Sequence, residues 1–252
     1  MNRVIILDPS CDGDLRSHHV NSVTGHAYAF TKAGLKVELC VNEKCRNTFE
    51  DALMHPFFPY TIYDDFRKHQ ISRHFRILNQ ARHLVTVNIV YHLINKFIDE
   101  NHIDRADHIF IPTLDWILFR TIRRTCFIRA SAPSLHLLLM YEKANWMTGG
   151  YPYEKILQGI KKLRNRGNNV FIYTETREHA LRLKEVLGFI PENYTFPALP
   201  VAVSQADSRA NDKICVGVLG GGRRDKGYNL LPEIIRMFNE AYTGSNQVTF
   251  II

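Results

Sequence analysis

Short apolar runs alternate with longer segments of helical spacing along the first part of the chain. Val4–Leu7 is an uninterrupted apolar run, and apolar residues then recur at the spacing of one helix face through Val20–Phe30. Gly34 follows as a typical helix end, and a second apolar run occupies Val37–Val41. This succession of strand, helix and strand predicts one βαβ unit with parallel strands.

The same alternation continues to about residue 190. Further strands are expected at His108–Ile111, Leu135–Leu139 and Val170–Tyr173, and helices at Asp64–His102, Leu114–Ile122, Pro152–Arg166 and Arg177–Leu187. Strands that alternate with helices predict an α/β fold with a Rossmann-like, mainly parallel sheet. Ligands of such sheets bind beyond the carboxyl ends of the strands, where the strand order reverses.

A Pro-rich segment, Ile190–Ala210, separates this region from a second, shorter one and has the composition of a connector. A new βαβ unit is then expected, with a strand at Ile214–Leu219, a helix at Asn229–Glu240 and a strand at Val248–Ile252. Two strands and one helix are too few to cover both faces of a parallel sheet. The unit therefore either docks onto the first sheet or begins a second domain, and the second option predicts domains at 1–200 and 201–252.

Composition narrows the class of protein. The 252 residues are 45% hydrophobic and 23% charged, which is typical of a globular chain and excludes a disordered or fibrous one. The sequence shows neither a signal peptide nor a membrane-spanning apolar run. Five scattered cysteines predict reduced thiols in the cytoplasm and no zinc site. The net charge of +7 favours anionic partners: nucleic acid, acidic lipids or phosphorylated small molecules.

The stretch with the strongest chemical signal is a glycine-rich turn followed by cations. Gly220, Gly221 and Gly222 precede Arg223, Arg224 and Lys226, between a predicted strand and a predicted helix. Glycines let a backbone approach a phosphate, while a helix N-terminus and cations attract its charge. The spacing fits neither a P-loop nor a dinucleotide fingerprint. Phosphate binding and a plain turn with solvated cations both remain open from these residues alone.

Residues Leu219–Tyr228, followed by Leu230-Leu231-Pro232-Glu233, resemble the segment that opens the C-terminal domain of retaining GT-B glycosyltransferases of group 1, family 4. The resemblance implies that Gly221 and Gly222 approach the diphosphate of a nucleotide-sugar donor. It implies that an arginine and a lysine bind that diphosphate, the lysine being Lys226. Because the cations lie closer together here than is common in the family, Arg223 and Arg224 both remain candidates for the arginine.

Three other segments of the chain resemble the N-terminal part of that family. Phe171–Ala180 and the later Phe196–Val201 are similar to its final strand, its helix start and its connector. Leu135-His136-Leu137 resembles a strand that carries a histidine facing the active site, which makes His136 the expected catalytic residue. The alternative is a hydrogen-bonded core histidine.

The loop after the first strand contains Asp12, Gly13 and Asp14. In GT-B enzymes the equivalent loop contacts the donor or the acceptor, although usually with more glycines. The alternative is a polar surface loop. A metal site formed with the adjacent His18 and His19 is not expected, because consecutive side chains on a helix point apart.

Taken as a whole, the resemblance implies transfer of a sugar from a nucleotide-sugar donor to a carbohydrate or glycan acceptor, with retention. It implies no metal and no cofactor besides the nucleotide-sugar co-substrate, no nucleic acid partner, and a cytoplasmic protein whose basic helices are compatible with docking on the inner face of a membrane. The glutamate pair that family members carry further downstream does not occur in this sequence. The chain is therefore expected to be an N-terminal fragment, inactive or nearly so by itself.

Two other functions remain open from the sequence. One is a basic α/β binding module that recognises nucleic acid or an acidic partner without catalysis. Clustered aromatic residues beside cations are compatible with it: Phe57-Phe58, Tyr60, Tyr63 and Phe66-Arg67. Pro56 and Pro59 nevertheless indicate a packed loop there. The other is a scaffold that has kept the fold and lost its activity.

Overall fold

A computed structural model describes the chain at residues 3–14, 18–50, 52–62, 76–129, 132–139, 153–195, 197, 214–217, 230–241 and 248–251. The chain divides into two compact units, Met1–Leu199 and Pro200–Ile252.

The larger unit is built on a seven-stranded sheet in which every neighbouring pair is parallel, in the order β3-β2-β1-β4-β5-β6-β7. Its strands are β1 (Arg3–Asp8), β2 (Lys36–Asn42), β3 (Leu53–Phe58), β4 (His108–Ile111), β5 (Ser134–Leu138), β6 (Val170–Thr174) and β7 (Glu192–Asn193). The predicted α/β fold with a Rossmann-like parallel sheet is confirmed.

Helices lie on both faces of this sheet. The helices described in the larger unit are α1 (His18–Lys32), α2 (Arg76–Glu100), α3 (Trp116–Ile128), α4 (Tyr153–Asn165) and α5 (Arg177–Leu187). Successive strand residues point to opposite faces. Along β1, Val4 and Ile6 therefore join a buried cluster with Val23 of α1, whereas Ile5 and Leu7 join a larger cluster with residues of α2 to α5.

Capping residues fix where two of the helices begin and end. The Asp115 carboxylate accepts a hydrogen bond from the Leu118 N–H at the start of α3, and the Thr176 hydroxyl accepts one from the His179 N–H at the start of α5. Helix α5 ends at Gly188, which adopts a left-handed conformation with φ of 80°. The helix predicted for Arg177–Leu187 is confirmed with its bounds and its glycine cap.

The predicted loop around Phe57 and Phe58 is wrong, because Leu53–Phe58 forms β3. This strand is at the edge of the sheet, and on its outer side it pairs with none of the other strands that the structure describes. Proline lacks the N–H that a central strand would use for pairing, so within sheets it is confined to edge strands, strand starts and bulges. Pro56 is therefore tolerated in β3. The pairing of β2 with β3 also shifts register between Val41 and Asn42.

The second unit contains a two-stranded parallel sheet of β8 (Ile214–Gly217) and β9 (Val248–Ile251), with α6 (Leu231–Ala241) between them in the chain. The predicted order of strand, helix and strand is present in this unit. Among the helices that the structure describes, none has the length and apolar content needed to cross a membrane.

Candidate functional site at the carboxyl edge of the sheet

The strand order reverses at β1, which pairs with β2 on one side and with β4 on the other. In open α/β sheets the loops that diverge at such a point leave a crevice at the carboxyl ends of the strands, and ligands bind there. The loop of residues 9–14 follows β1, and the loop of residues 112–115 follows β4. These loops mark the candidate functional site.

The end of β1 is joined to the start of α1 by a buried pair of side chains. Nδ1 of His19 lies 2.9 Å from Oδ2 of Asp8, and the other carboxylate oxygen of Asp8 accepts a hydrogen bond of 2.9 Å from the Ser10 N–H. Asp8 is 1% exposed and His19 is fully buried. A buried carboxylate is stable only with such partners. The pair therefore holds the loop between β1 and α1 in position, and neither side chain reaches a ligand from solvent.

A second set of hydrogen bonds ties the loops after β1, β2, β3 and β4 to one another. The Asn42 side-chain amide donates to the carbonyl oxygens of Pro9 and Tyr60, at 3.0 and 2.8 Å. The Tyr60 hydroxyl donates to Oδ2 of Asp115 at 2.9 Å, while Oδ1 of Asp115 caps α3. The Ser10 hydroxyl accepts from the Ile62 N–H at 2.9 Å. We refer to the following residues as the carboxyl-edge web: Asp8, Ser10, His19, Asn42, Tyr60 and Asp115.

The predicted loop residues Asp12, Gly13 and Asp14 lie beside this web, directly after β1. Oδ1 of Asp12 accepts a hydrogen bond of 3.2 Å from the Asp14 N–H, and the Gly13 carbonyl accepts one of 3.2 Å from Asn47. Gly13 has a φ of +92°, and a Cβ there would lie 3.3 Å from Oδ1 of Asn47. Glycine is therefore required at this turn. Asp14 is exposed and Asp12 is partly exposed, so their carboxylates can accept hydrogen bonds from the hydroxyl groups of a ligand.

His136 lies in the middle of β5, within the sheet and before its carboxyl edge. Its Nε2 is 2.9 Å from Nδ1 of His108, and its Nδ1 is 2.9 Å from the Tyr173 hydroxyl. Its ring is stacked on Phe171, with ring centroids 4.7 Å apart. Burial, together with the charge that His108 can carry, lowers the pKa of His136 to about 4. The ring is therefore neutral near pH 7, with both nitrogens hydrogen-bonded.

The predicted diphosphate-binding residues Gly221, Gly222, Arg223, Arg224 and Lys226 lie outside the described residues. The structure describes β8 before them and α6 after them. Among the described residues, no group of three or more His, Cys, Asp or Glu side chains is placed to hold a metal ion.

No protein-family model matches the chain, and no curated protein matches it significantly.

Local sequence patterns do not predict the carboxyl-edge web as a whole. Asp8 and Asp115 each carried a usable signal, because each follows an apolar strand and precedes a helix, which is the position of a cap or a loop anchor. No local pattern indicates this role for Tyr60, because its partner Asp115 is 55 positions away in the chain.

Proposed function

We propose that the protein is a nucleotide-sugar-dependent glycosyltransferase, which transfers a sugar to a carbohydrate or glycan acceptor with retention of configuration. The main support for the proposal is the all-parallel sheet. Its strand order reverses between β1 and β4, and a polar loop lies at that point. The resemblance of Leu219–Tyr228 to a donor-binding segment supports the choice of reaction.

In this proposal the cations after β8 stabilise the leaving nucleoside diphosphate. Arg223 or Arg224, together with Lys226, neutralises charge on the diphosphate oxygens as the bond to the sugar breaks. Gly221 and Gly222 leave room for the phosphate beside the backbone. Helix α6 begins at Leu231, shortly after these residues. Its N-terminal N–H groups add a favourable partial charge, so that the diphosphate charge is offset without a metal ion.

The loop of Asp12, Gly13 and Asp14 receives the sugar or the acceptor in this proposal. Its two carboxylates accept hydrogen bonds from hydroxyl groups, and the carboxyl-edge web holds the loop in one conformation. His136 stays a predicted catalytic residue. Because both of its nitrogens are hydrogen-bonded, it must give up the contact with His108 or with Tyr173 before it can bind a sugar hydroxyl.

Calorimetric titration of the chain with UDP and with GDP tests the donor site. We expect binding of one of them, and we expect Lys226→Ala to weaken it by about 10- to 100-fold, because a hydrogen bond to a charged group contributes about 1.5–3 kcal/mol. Arg223→Ala and Arg224→Ala, measured separately, identify the arginine that contacts the diphosphate. Lys184→Ala, which removes an exposed lysine of α5 away from the carboxyl-edge web, is the matched control and should bind like wild type.

Nucleotide binding that is unchanged in Lys226→Ala and in both arginine variants would contradict the proposal. A chain that binds a single-stranded oligonucleotide but neither nucleoside diphosphate would instead favour the binding module. In a preparation that transfers sugar, Lys226→Ala should lower turnover by about 10²-fold.

A further inference from the structure

Two adjoining grooves lie on the outer surface of helices α2, α3 and α4. The first has a volume of about 390 Å³ and the second about 520 Å³, and Arg123 and Phe127 of α3 line both. The first groove is also lined by Leu84, Val87, Asn88, Arg120 and Arg124, and the second by Lys162, Asn165 and Arg166. We refer to these residues together as the α2–α4 surface.

The cations of the α2–α4 surface have no carboxylate partner within the part of the chain that the structure describes. None of the described residues that line the two grooves is an aspartate or a glutamate. By contrast, Arg129 at the end of α3 pairs with Asp99 at 2.8 Å, and Arg3 pairs with Asp107 at 2.6 Å. Among the described residues nothing neutralises the positive charge of this surface, and we take it to be available to an external anion.

Aromatic rings lie against three of these guanidinium groups, and Arg120 is 5.3 Å from the centre of the Trp116 ring. Arg124 lies 4.0 Å from the centre of the Tyr91 ring and donates a hydrogen bond of 2.9 Å to Oδ1 of Asn88. Arg166 lies 3.9 Å from the centre of the Phe127 ring. Stacking uses the flat face of a guanidinium group and keeps N–H donors at its edge for a bidentate acceptor. Less side-chain freedom is then lost when a carboxylate binds.

The grooves also present apolar side chains to solvent. Leu84 of α2 is 52% exposed and Phe127 of α3 is 38% exposed, while Val87 forms a buried part of the first groove. A ligand that fills this space must bring apolar side chains as well as negative charge. Nucleic acid has no long aliphatic side chains with which to fill such a groove, and a bilayer surface is too flat to enter the space between two helices.

We propose that the α2–α4 surface docks an acidic amphipathic helix of a partner protein. Apolar residues on one face of such a helix, at positions i, i+3 or i+4 and i+7, fill the groove between α2 and α3. Glutamates and aspartates beside that face then meet Arg120, Arg123 and Arg124 on one side and Lys162 and Arg166 on the other. The net charge of +7 speeds the encounter with an acidic partner. This inference is independent of the proposed sugar transfer.

A designed fluorescent peptide tests the proposal through fluorescence anisotropy with the complete chain. The peptide is helical, with leucines at i, i+3 and i+7 flanked by glutamates, and a second peptide carries glutamine in place of each glutamate. We expect the acidic peptide to bind at least tenfold more tightly than the neutral one, with an affinity that falls as salt is added. Arg123→Glu and Phe127→Ala, which alter the residues common to both grooves, should each weaken binding at least tenfold.

Lys44→Glu is the matched control, because it makes the same change of charge at an exposed residue of the loop after β2. It should change the affinity less than twofold, and circular dichroism establishes that each variant is folded. Equal binding of the acidic and neutral peptides, or wild-type affinity in folded Arg123→Glu, would overturn the proposal. Tighter binding to phosphatidylglycerol vesicles or to an oligonucleotide than to the peptide, abolished by Arg123→Glu, would also overturn it and assign the surface to that ligand.

Discussion

Phe119 of α3 occupies the space into which a side chain at Gly159 of α4 would point. A Cβ built on Gly159 would lie 2.6 Å from Cζ of Phe119 and 2.8 Å from Cε1. The Phe119 ring is 1% exposed, so it is enclosed and cannot swing into solvent. The two helices can therefore pack at this distance only with glycine at position 159.

Gly159→Ala should destabilise the fold despite the better helix propensity of alanine. Overpacking a core costs about 1–3 kcal/mol, and the propensity gain of about 1 kcal/mol offsets only part of it. Urea unfolding measures the difference, with Gln158→Ala at the exposed neighbouring position as the control. Adding Phe119→Leu should make Gly159→Ala less costly than it is in the wild-type background. A Gly159→Ala variant as stable as wild type would show that the helices separate without cost.

Asp115 should contribute to stability through both of its carboxylate oxygens. Asp115→Ala removes the cap of α3 and leaves the Tyr60 hydroxyl without its acceptor, so a loss of about 2–4 kcal/mol is expected. Asp115→Asn keeps a side-chain oxygen that can accept from the Leu118 N–H, so its free energy of unfolding should fall clearly less than that of Asp115→Ala. Thermal and urea unfolding of the two variants provide the comparison. Equal losses of stability in the two variants would mean that the hydrogen bond from the Leu118 N–H to Asp115 adds nothing to the contribution of the contact with Tyr60.

His136 should make the fold less stable as the pH is lowered. Burial and the proximity of His108 lower its pKa from 6.5 to about 4. Between these values the unfolded chain binds a proton that the folded chain does not, so stability is present above about pH 6.5 and is lost as the pH falls towards 4. Burial lowers the pKa of His26 to about 4 as well, and adds to the same loss.

His136→Gln should therefore reduce, but not abolish, the loss of stability between pH 7 and pH 4, as measured by urea unfolding at several pH values. The His136 ring protons, followed by NMR in the wild-type chain, should titrate near pH 4. A midpoint near 6.5 would mean that the ring is better hydrated than its place in the sheet indicates.

Much of the fold could be predicted from the sequence, because local patterns dictate it. The apolar spacing of Arg177–Leu187 and the glycine after it were enough to define α5. Helix α3 was expected to end at Ile122 but continues to Ile128. Arg123 and Arg124 interrupt its apolar pattern, yet they lie on its outer side while Thr125 and Cys126 stay buried. Strand β3 could not be predicted because a proline such as Pro56 usually interrupts a strand. An edge strand is one of the few places in a sheet that accept it.

The candidate site was only partly predictable. Asp12, Gly13 and Asp14 were expected at the carboxyl edge because chain order alone places the loop after β1 there. The contact of Asp8 with His19 and that of Tyr60 with Asp115 depend on how helices and loops pack on the sheet, which no local pattern specifies. The place of His136 within the hydrogen bonds of its neighbours likewise depends on the pairing of β4, β5 and β6.

The carboxyl-edge web has a consequence for any molecule that binds over β1 and β4. Since Asn42, Tyr60 and Asp115 already hold four connecting segments together, a ligand arriving at this rim meets a surface that is rigid beforehand. Little conformational entropy is lost on association, which favours affinity for small polar molecules with few contacts. The same rigidity makes discrimination between similar ligands a matter of fixed shape, since the rim does not adapt to a poor fit.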